Sequence, residues 1–291
     1  MNPLSDLFDS LASFTEYAPG LETSNSLDDL LSSARTSRKR VESVISPSVY
    51  AAIVTSEDDN LLDALRSAVA NMTLSVQLVF DAVNRRKADV DVYKYELEGM
   101  RRSYTENYFN AMDTLISTLM STVPEENDNS TPAALWRKAR YFRLLDSCRI
   151  KSADDFDAIY PIDLSYLFFF RTVPLQKETL DERLTVYFDK TNDERILAML
   201  CLALAKKTIA KALRRFDILE FPPTIRNLFD DNTASRSGKD EHDNAIALAD
   251  RLDAEADQLI ENVDMLISAD TTDFASFAAY NTHDDIIVMA P

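Results

Sequence analysis

Glycine is nearly missing from this chain. Only Gly20, Gly99 and Gly238 occur among 291 residues, too few for a series of tight hairpins, and none cluster as a phosphate-cradling loop requires. Cysteine is as scarce. Cys148 and Cys201 supply neither a disulfide framework nor a thiolate metal cluster, so each reads as a small core residue in a reducing compartment. The two histidines, His242 and His283, stand far from either cysteine, and neither has a glutamate three residues before it. The spacings of zinc and di-iron carboxylate sites are therefore not found. Long apolar runs are lacking too: "ILAMLCLALA" at 196–205 is about half of what a membrane span needs. The opening residues hold no basic region followed by an apolar run, so no signal peptide is expected.

What is abundant is acid. The net charge is −18, and from Asp217 to Pro291 there are 17 acidic and four basic side chains. The body is thus nearly balanced while the C-terminal quarter is acidic, a surface that resists nonspecific binding to nucleic acid. Hydrophobic residues make up 46%, as in folded chains. With so little glycine and so much alanine and leucine, the expected fold is all-α, a multi-helix bundle.

Periodicity and punctuation place the helices. Leu4, Leu7, Leu11 and Phe14 predict a short amphipathic helix ending near Pro19-Gly20. Ser26 caps a second that reaches Ile45 and stops at Pro47. A third spans 60–84, although its "VQLVF" could instead be extended. In "VDVYKYELEGMRRSYTENYFNAMDTLISTLMS" (90–121), Tyr93, Leu97, Met100, Tyr104, Tyr108, Met112, Leu115 and Leu119 share one face. That stripe reads as core, with a tyrosine rim whose hydroxyls need water or a partner. Thr131-Pro132 launches "AALWRKARYFRLLDSC", and Ser152 caps "ADDFDAIY". Helices near 175–188 and 193–216 follow, then the breaker "FPP" (221–223) and a polar stretch at 230–244. Three segments result: helical modules at 1–123 and 124–229, and an acidic helix with an extended arm at 230–291.

An internal repeat is expected on residue pairings. Leu62, Leu65, Ala68, Ala70, Thr73 and Leu78 align with Leu197, Leu200, Ala203, Ala205, Thr208 and Leu213. Upstream, Arg35-Thr36 resembles Arg171-Thr172, and Val49-Tyr50 resembles Val186-Tyr187.

In the acidic helix Ala245, Ala249, Leu252, Ala256, Leu259, Val263 and Leu266 alternate steps of four and three, a heptad seam suited to one partner helix, in cis or on a neighbouring subunit. The tail "DFASFAAYNTHDDIIVMAP" ends in an apolar, β-capable run. Left in water it would be a liability, so it is expected to lie on this chain or on another copy. The candidate interface residues are Leu252, Leu259, Val263, Leu266, Phe274, Phe277, Ile286, Ile287 and Val288. The basic clusters "RTSRKR" (35–40), "RKARYFR" (137–143) and "KKTIAKALRR" (206–215) read as solvated faces or as docking surfaces for an acidic neighbour. No carboxylate pair is marked as acid and base. No catalytic residue, metal site or cofactor is expected, and the chain is not expected to be an enzyme.

Three stretches together, "KADVDVYKYELEGMRRSYTENYFNAMDTLISTL", "WRKARYFRLLDSCRIKSADDFDAIYPI" and "NTHDDIIVMAP", resemble a family of helical virion proteins of tailed phages and prophages of gut Bacteroidetes, including crAss-like phages. The resemblance runs from about residue 25 to the end, in spacing and residue type rather than in one invariant motif. It implies a head–tail connector: a homo-oligomeric ring, dodecameric in that family, docked beneath the portal protein and beside other neck or tail proteins. DNA would pass through its lumen without sequence-specific binding. The chain would be found in the virion neck, and in the host cytoplasm during assembly. The other reading open to the sequence is a cytoplasmic interaction protein that binds a partner through its heptad helix or basic patches.

Overall fold

The computed structural model describes residues 2–20, 26–87, 94–126, 128–229 and 238–271, and among them there is helix but no strand. In chain order the helices are α1 (Leu11–Tyr17), α2 (Leu31–Ile45), α3 (Pro47–Val54), α4 (Asp59–Lys87), α5 (Lys94–Ser121), α6 (Pro132–Arg137) and α7 (Arg140–Leu145). They continue with α8 (Ala153–Ile159), α9 (Tyr166–Thr179), α10 (Thr185–Phe188), α11 (Glu194–Arg215), α12 (Pro223–Arg226) and α13 (Gly238–Thr271). No helix among the described residues is long and apolar enough to cross a membrane.

Two antiparallel helix pairs, α4–α5 and α11–α13, form the most extensive contacts, and each is backed by an equivalent set of shorter helices. Helix α1 packs on α4 as α8 packs on α11, and α2 packs on α4 as α9 packs on α11. Ser10 and Ser152 cap α1 and α8 by accepting the amide of the third helical residue, and each of these helices buries one phenylalanine, Phe14 or Phe156. Asp58 and Asp193 accept first-turn amides of α4 and α11. Within those two helices the pairs Leu65/Leu200, Ala68/Ala203, Ala70/Ala205 and Thr73/Thr208 are all fully buried. Both threonine hydroxyls donate to the carbonyl one turn back, Thr73 to Val69 and Thr208 to Leu204, each at 2.7 Å. The expected α4–α11 pairings therefore agree in caps and burial, whereas the upstream ones do not: Val49 and Tyr50 are buried while Val186 is 58% exposed, and Thr36 is exposed where Thr172 is buried.

The modules share one contiguous core. The buried cluster runs from Leu4 to Val263, with Trp136, Phe156, Phe168, Phe169 and Phe170 among its largest members. The Trp136 ring meets the edge of Phe170 at 5.0 Å between centroids. The segment 230–291 accordingly does not stand apart, because its described helix, α13, contributes Ala245 to Val263 to that core.

Several boundaries differ from the sequence expectation. The "VQLVF" stretch is helical inside α4. Helix α9 begins at Tyr166, well before 175, and carries Pro174 within it; apolar burial along its first turns outweighs the proline, whose ring costs an amide donor. The single helix expected over 132–148 breaks at Lys138-Ala139, where short i→i+3 bonds close α6 and Ala139 opens α7. Leu4 and Leu7 are buried but lie in turns before α1.

Candidate functional site

The tyrosine–methionine stripe of α5 divides in two. Met112, Leu115 and Leu119 are fully buried against α4, while Met100 is exposed. Between them, the Tyr104 hydroxyl donates to the Pro19 carbonyl. That contact needs Gly20, which has φ +116° and faces the same hydroxyl where a Cβ would sit. Residue 93, also assigned to the stripe, lies outside the described residues.

The register of the α4–α5 pair is set by a buried Ser75–Thr105 hydroxyl bond of 2.9 Å. Counting away from it in opposite directions puts Phe80 level with Met100. Val79, Phe80 and Met100 are 45%, 46% and 46% exposed, so large apolar side chains are left uncovered on both helices at this end of the pair. Exposed apolar side chains also occur on the other module. Tyr187 donates to Asp264 at 2.9 Å and thereby ties α10 to the end of α13. The neighbours of those two residues, Val186 and Met265, are 58% and 67% exposed, and Leu266 is 45% exposed.

The heptad seam is covered within the chain. Leu252 and Val263 are buried where α13 lies along α11, Leu259 is half-buried, and Leu266 faces solvent. As a surface for another subunit, Leu252 and Val263 are thus already occupied. The residue that completes the stripe is Ile260, which is fully buried, rather than Leu259. Phe274, Phe277, Ile286, Ile287 and Val288 lie outside the described residues.

The basic cluster of α11 is also satisfied in cis. Lys206 meets Glu255 at 2.6 Å, Lys207 meets Asp257 at 3.1 Å, and Arg214 bridges Asp250 and Asp253 at 2.7 and 2.6 Å. On its other flank Lys211 reaches Glu178 and Glu182, and Arg215 reaches Glu178. The two cations hold the Glu178 carboxyl well below its ordinary range. Single exposed pairs of this kind contribute little; together they fix the facing and register of α13. Four of the 17 acidic side chains of the C-terminal quarter, Asp250, Asp253, Glu255 and Asp257, are paired at this seam.

Between the modules lies a cleft of about 380 Å³, lined by α2, α4 and α5 from one side and by α9 and the turn at 217–220 from the other. Three guanidinium groups, Arg40, Arg101 and Arg171, border it, with Val44, Met72, Phe109, Leu167 and Phe168 among the apolar lining. Arg171 is held by Glu220 at 2.7 and 3.0 Å. Arg40 and Arg101 make no ion pair among the described residues, and the Arg40 guanidinium donates to the Met72 sulfur at 3.3 Å. Tyr108, 5% exposed, also lines the cleft. Its hydroxyl has no hydrogen-bond partner among the described residues, and burial pushes the phenol well above its ordinary range.

A short distance along α5, Asp113 caps α9 from the opposite module. It accepts the Leu167 amide at 2.7 Å and the Ser165 hydroxyl at 3.1 Å. Burial nevertheless lifts its carboxyl to about 6, against those hydrogen bonds, which favour the charged form. The folded chain then holds this proton more tightly than the unfolded chain does. Asp113 should contribute most to stability below the usual carboxylate range, and less as pH rises through about 6. Asp113→Asn keeps an acceptor for Leu167 and removes the charge. Its stability relative to the natural chain is expected to improve by about 2 kcal/mol between about pH 4 and pH 7.5 in urea titrations. A difference that stays flat with pH would show that Asp113 titrates normally.

Among the described residues no cluster of three or more His, Cys, Asp or Glu has the geometry of a metal site. Scans against known protein families, curated proteins and solved structures found no match.

Proposed function

We propose that this chain is a structural virion protein that assembles into a ring at a phage head–tail connector, beneath the portal and around the DNA channel. The observation that carries this reading is that large apolar side chains are exposed in two separate regions, Val79, Phe80 and Met100 on one module and Val186, Met265 and Leu266 on the other. A closed ring is built from one head-to-tail contact used repeatedly, and such a contact needs two different surfaces on every subunit. Two unlike regions on one chain meet that requirement, whereas a two-fold dimer would need only one. A net charge of −18 suits a wall past which DNA slides, since it offers phosphates repulsion rather than contacts. The resemblance to helical virion proteins supplies the portal as neighbour and twelve as the copy number.

Partner binding through the heptad helix has less support, because five of its seven seam residues and the α11 basic cluster are spent inside the chain. Of the "RKARYFR" cluster, Arg137 and Arg140 lie over the rings of Phe142 and Tyr141, and Lys138 bonds Asn129.

Quantitative mass spectrometry of DNA-filled particles from the phage or prophage encoding the chain tests the proposal. About twelve copies per particle are expected, scaled to the portal protein. Abundant protein in the lysate with none in particles would discard it.

A further inference from the structure

The cleft between the modules has the chemistry of a ligand site rather than of a packing gap. Its floor is apolar, its rim carries two guanidinium groups without carboxylate partners among the described residues, and the hydroxyl of Tyr108 in its wall makes no hydrogen bond among them. Its volume of about 380 Å³ is that of a small ligand or two to three side chains. Asp217 and Glu220 also border it; Glu220 is paired with Arg171, and Asp217 accepts the Leu219 amide at 3.0 Å and keeps its charge. Three arginines against two carboxylates leave the cleft a net positive charge on a strongly acidic chain.

The ligand that fits is an anionic group joined to branched apolar side chains. Carboxylates satisfy guanidinium donors through charge-assisted hydrogen bonds, and the Tyr108 hydroxyl can donate to the same group. The apolar floor gains from aliphatic burial. Outside the described residues, Asp89-Val90-Asp91-Val92 alternates such groups, and Asp284-Asp285 followed at once by Ile286-Ile287-Val288 gathers an acidic pair and three branched side chains into one run. We propose that the cleft of one subunit receives Asp284–Val288 of a second copy, with the carboxylates on Arg40 and Arg101 and the aliphatic residues on the Met72, Leu167 and Phe168 floor.

Chain geometry favours a second copy over the same chain. The ion pairs make α13 antiparallel to α11, so Thr271 lies toward the N-terminal end of α11. The cleft instead borders residues 217–220, which follow the C-terminal end of α11. Those ends are about 33 Å apart for a helix of 22 residues. The residues from Thr271 to Asp284 reach about 44 Å at full extension, so a cis route would have to run back largely extended along that length, whereas a second copy imposes no such path.

The inference rests on the ring reading for its second copy, and its test separates the two. The natural full-length chain and a full-length Asp284→Lys/Asp285→Lys chain, whose own segment can no longer bind, are titrated with a fluorescent peptide of residues 280–291. Micromolar binding to the lysine variant is expected, with weaker apparent binding to the natural chain because its own segments compete. Adding Arg40→Glu and Arg101→Glu to the lysine variant should weaken peptide binding by at least about tenfold. Both arginines are exposed, so the fold should survive, and circular dichroism checks this. Binding that ignores the arginine reversals, or no binding to a folded chain, would overturn the proposal. So would equal displacement by inorganic phosphate or by a free dicarboxylate, which would make this a small-anion site. If rings form while the peptide fails to bind, the cleft inference falls and the ring stands. If the peptide binds a chain that is never found in particles, the connector reading falls.

Discussion

Ile260→Asp should release α13 from the body, while Leu259→Asp, one position away, should leave it docked. Ile260 is fully buried against the α11 pair, and Leu259 is only half-buried. A carboxylate at 260 would be charged, desolvated and without a cation, because Lys206, Lys207 and Arg214 are already paired. The expected cost is about 4 kcal/mol, a large share of the roughly 5–15 kcal/mol that holds a domain together. At position 259 the new charge can turn toward water, and the loss is expected to stay below about 1.5 kcal/mol. Since α13 is joined to the rest mainly by this one seam, the loss should appear first as local undocking rather than global unfolding. Hydrogen exchange across 245–267 reads it directly: protection should collapse for Ile260→Asp and persist for Leu259→Asp. Equal effects at the two positions would mean that the helix is held by its ion pairs and not by the buried stripe.

The same pair of residues shows how far the sequence could be read. Alternating steps of four and three select Leu259 and Leu266 as well as they select any true seam member, because leucine carries the signal. The buried stripe instead runs Ala245, Ala249, Leu252, Ala256, Ile260 and Val263, with Ile267 half-buried beyond it. Ala245 and Ala256, Ala249 and Ile260, and Leu252 and Val263 are each eleven residues apart. That period, about 3.67 residues per turn, goes with a slight right-handed coiling rather than a left-handed supercoil. Three alanines on the stripe let α13 approach α11 closely, and the acidic flanks then meet the lysines and arginines of "KKTIAKALRR". Both halves of that arrangement were visible as separate patterns, an acidic helix and a basic one. Nothing in periodicity says that they face each other.

Other features were legible for a clear physical reason. Caps such as Ser152 and Thr131 act over three residues, so sequence alone locates them. The repeat was seen in α4 and α11 because their buried small residues, Ala68, Ala70 and Thr73, are constrained by close packing. It was not seen in α1 and α8, which share little beyond a capping serine and one buried phenylalanine. The cleft was illegible altogether. Arg40, Arg101, Tyr108 and Arg171 come from three helices on two modules, and only the docking of α9 against α5, with Asp113 as its cap, brings them to one place.

A head-to-tail ring makes a prediction that neither a two-fold dimer nor a monomer can mimic. Phe80→Asp with Met100→Asp alters one exposed apolar region, and Val186→Asp with Met265→Asp alters the other. All four side chains are exposed, so each double variant should fold with stability within about 1 kcal/mol of the natural chain. A carboxylate forced into a dehydrated contact costs several kcal/mol, and each variant alone should therefore be monomeric at concentrations where the natural chain assembles. Mixed in equal amounts, they should form pairs and nothing larger. One subunit still offers an intact tip and the other an intact α10–α13 surface, so a single good junction forms. Both ends of the resulting pair are then spoiled. A two-fold contact through the tip alone would leave the Val186→Asp/Met265→Asp chain associating like the natural one, with nothing gained on mixing. Mass photometry distinguishes these outcomes by particle mass. Growth beyond pairs in the mixture, or a natural chain that stays monomeric at every concentration tested, would show that these two regions do not close a ring.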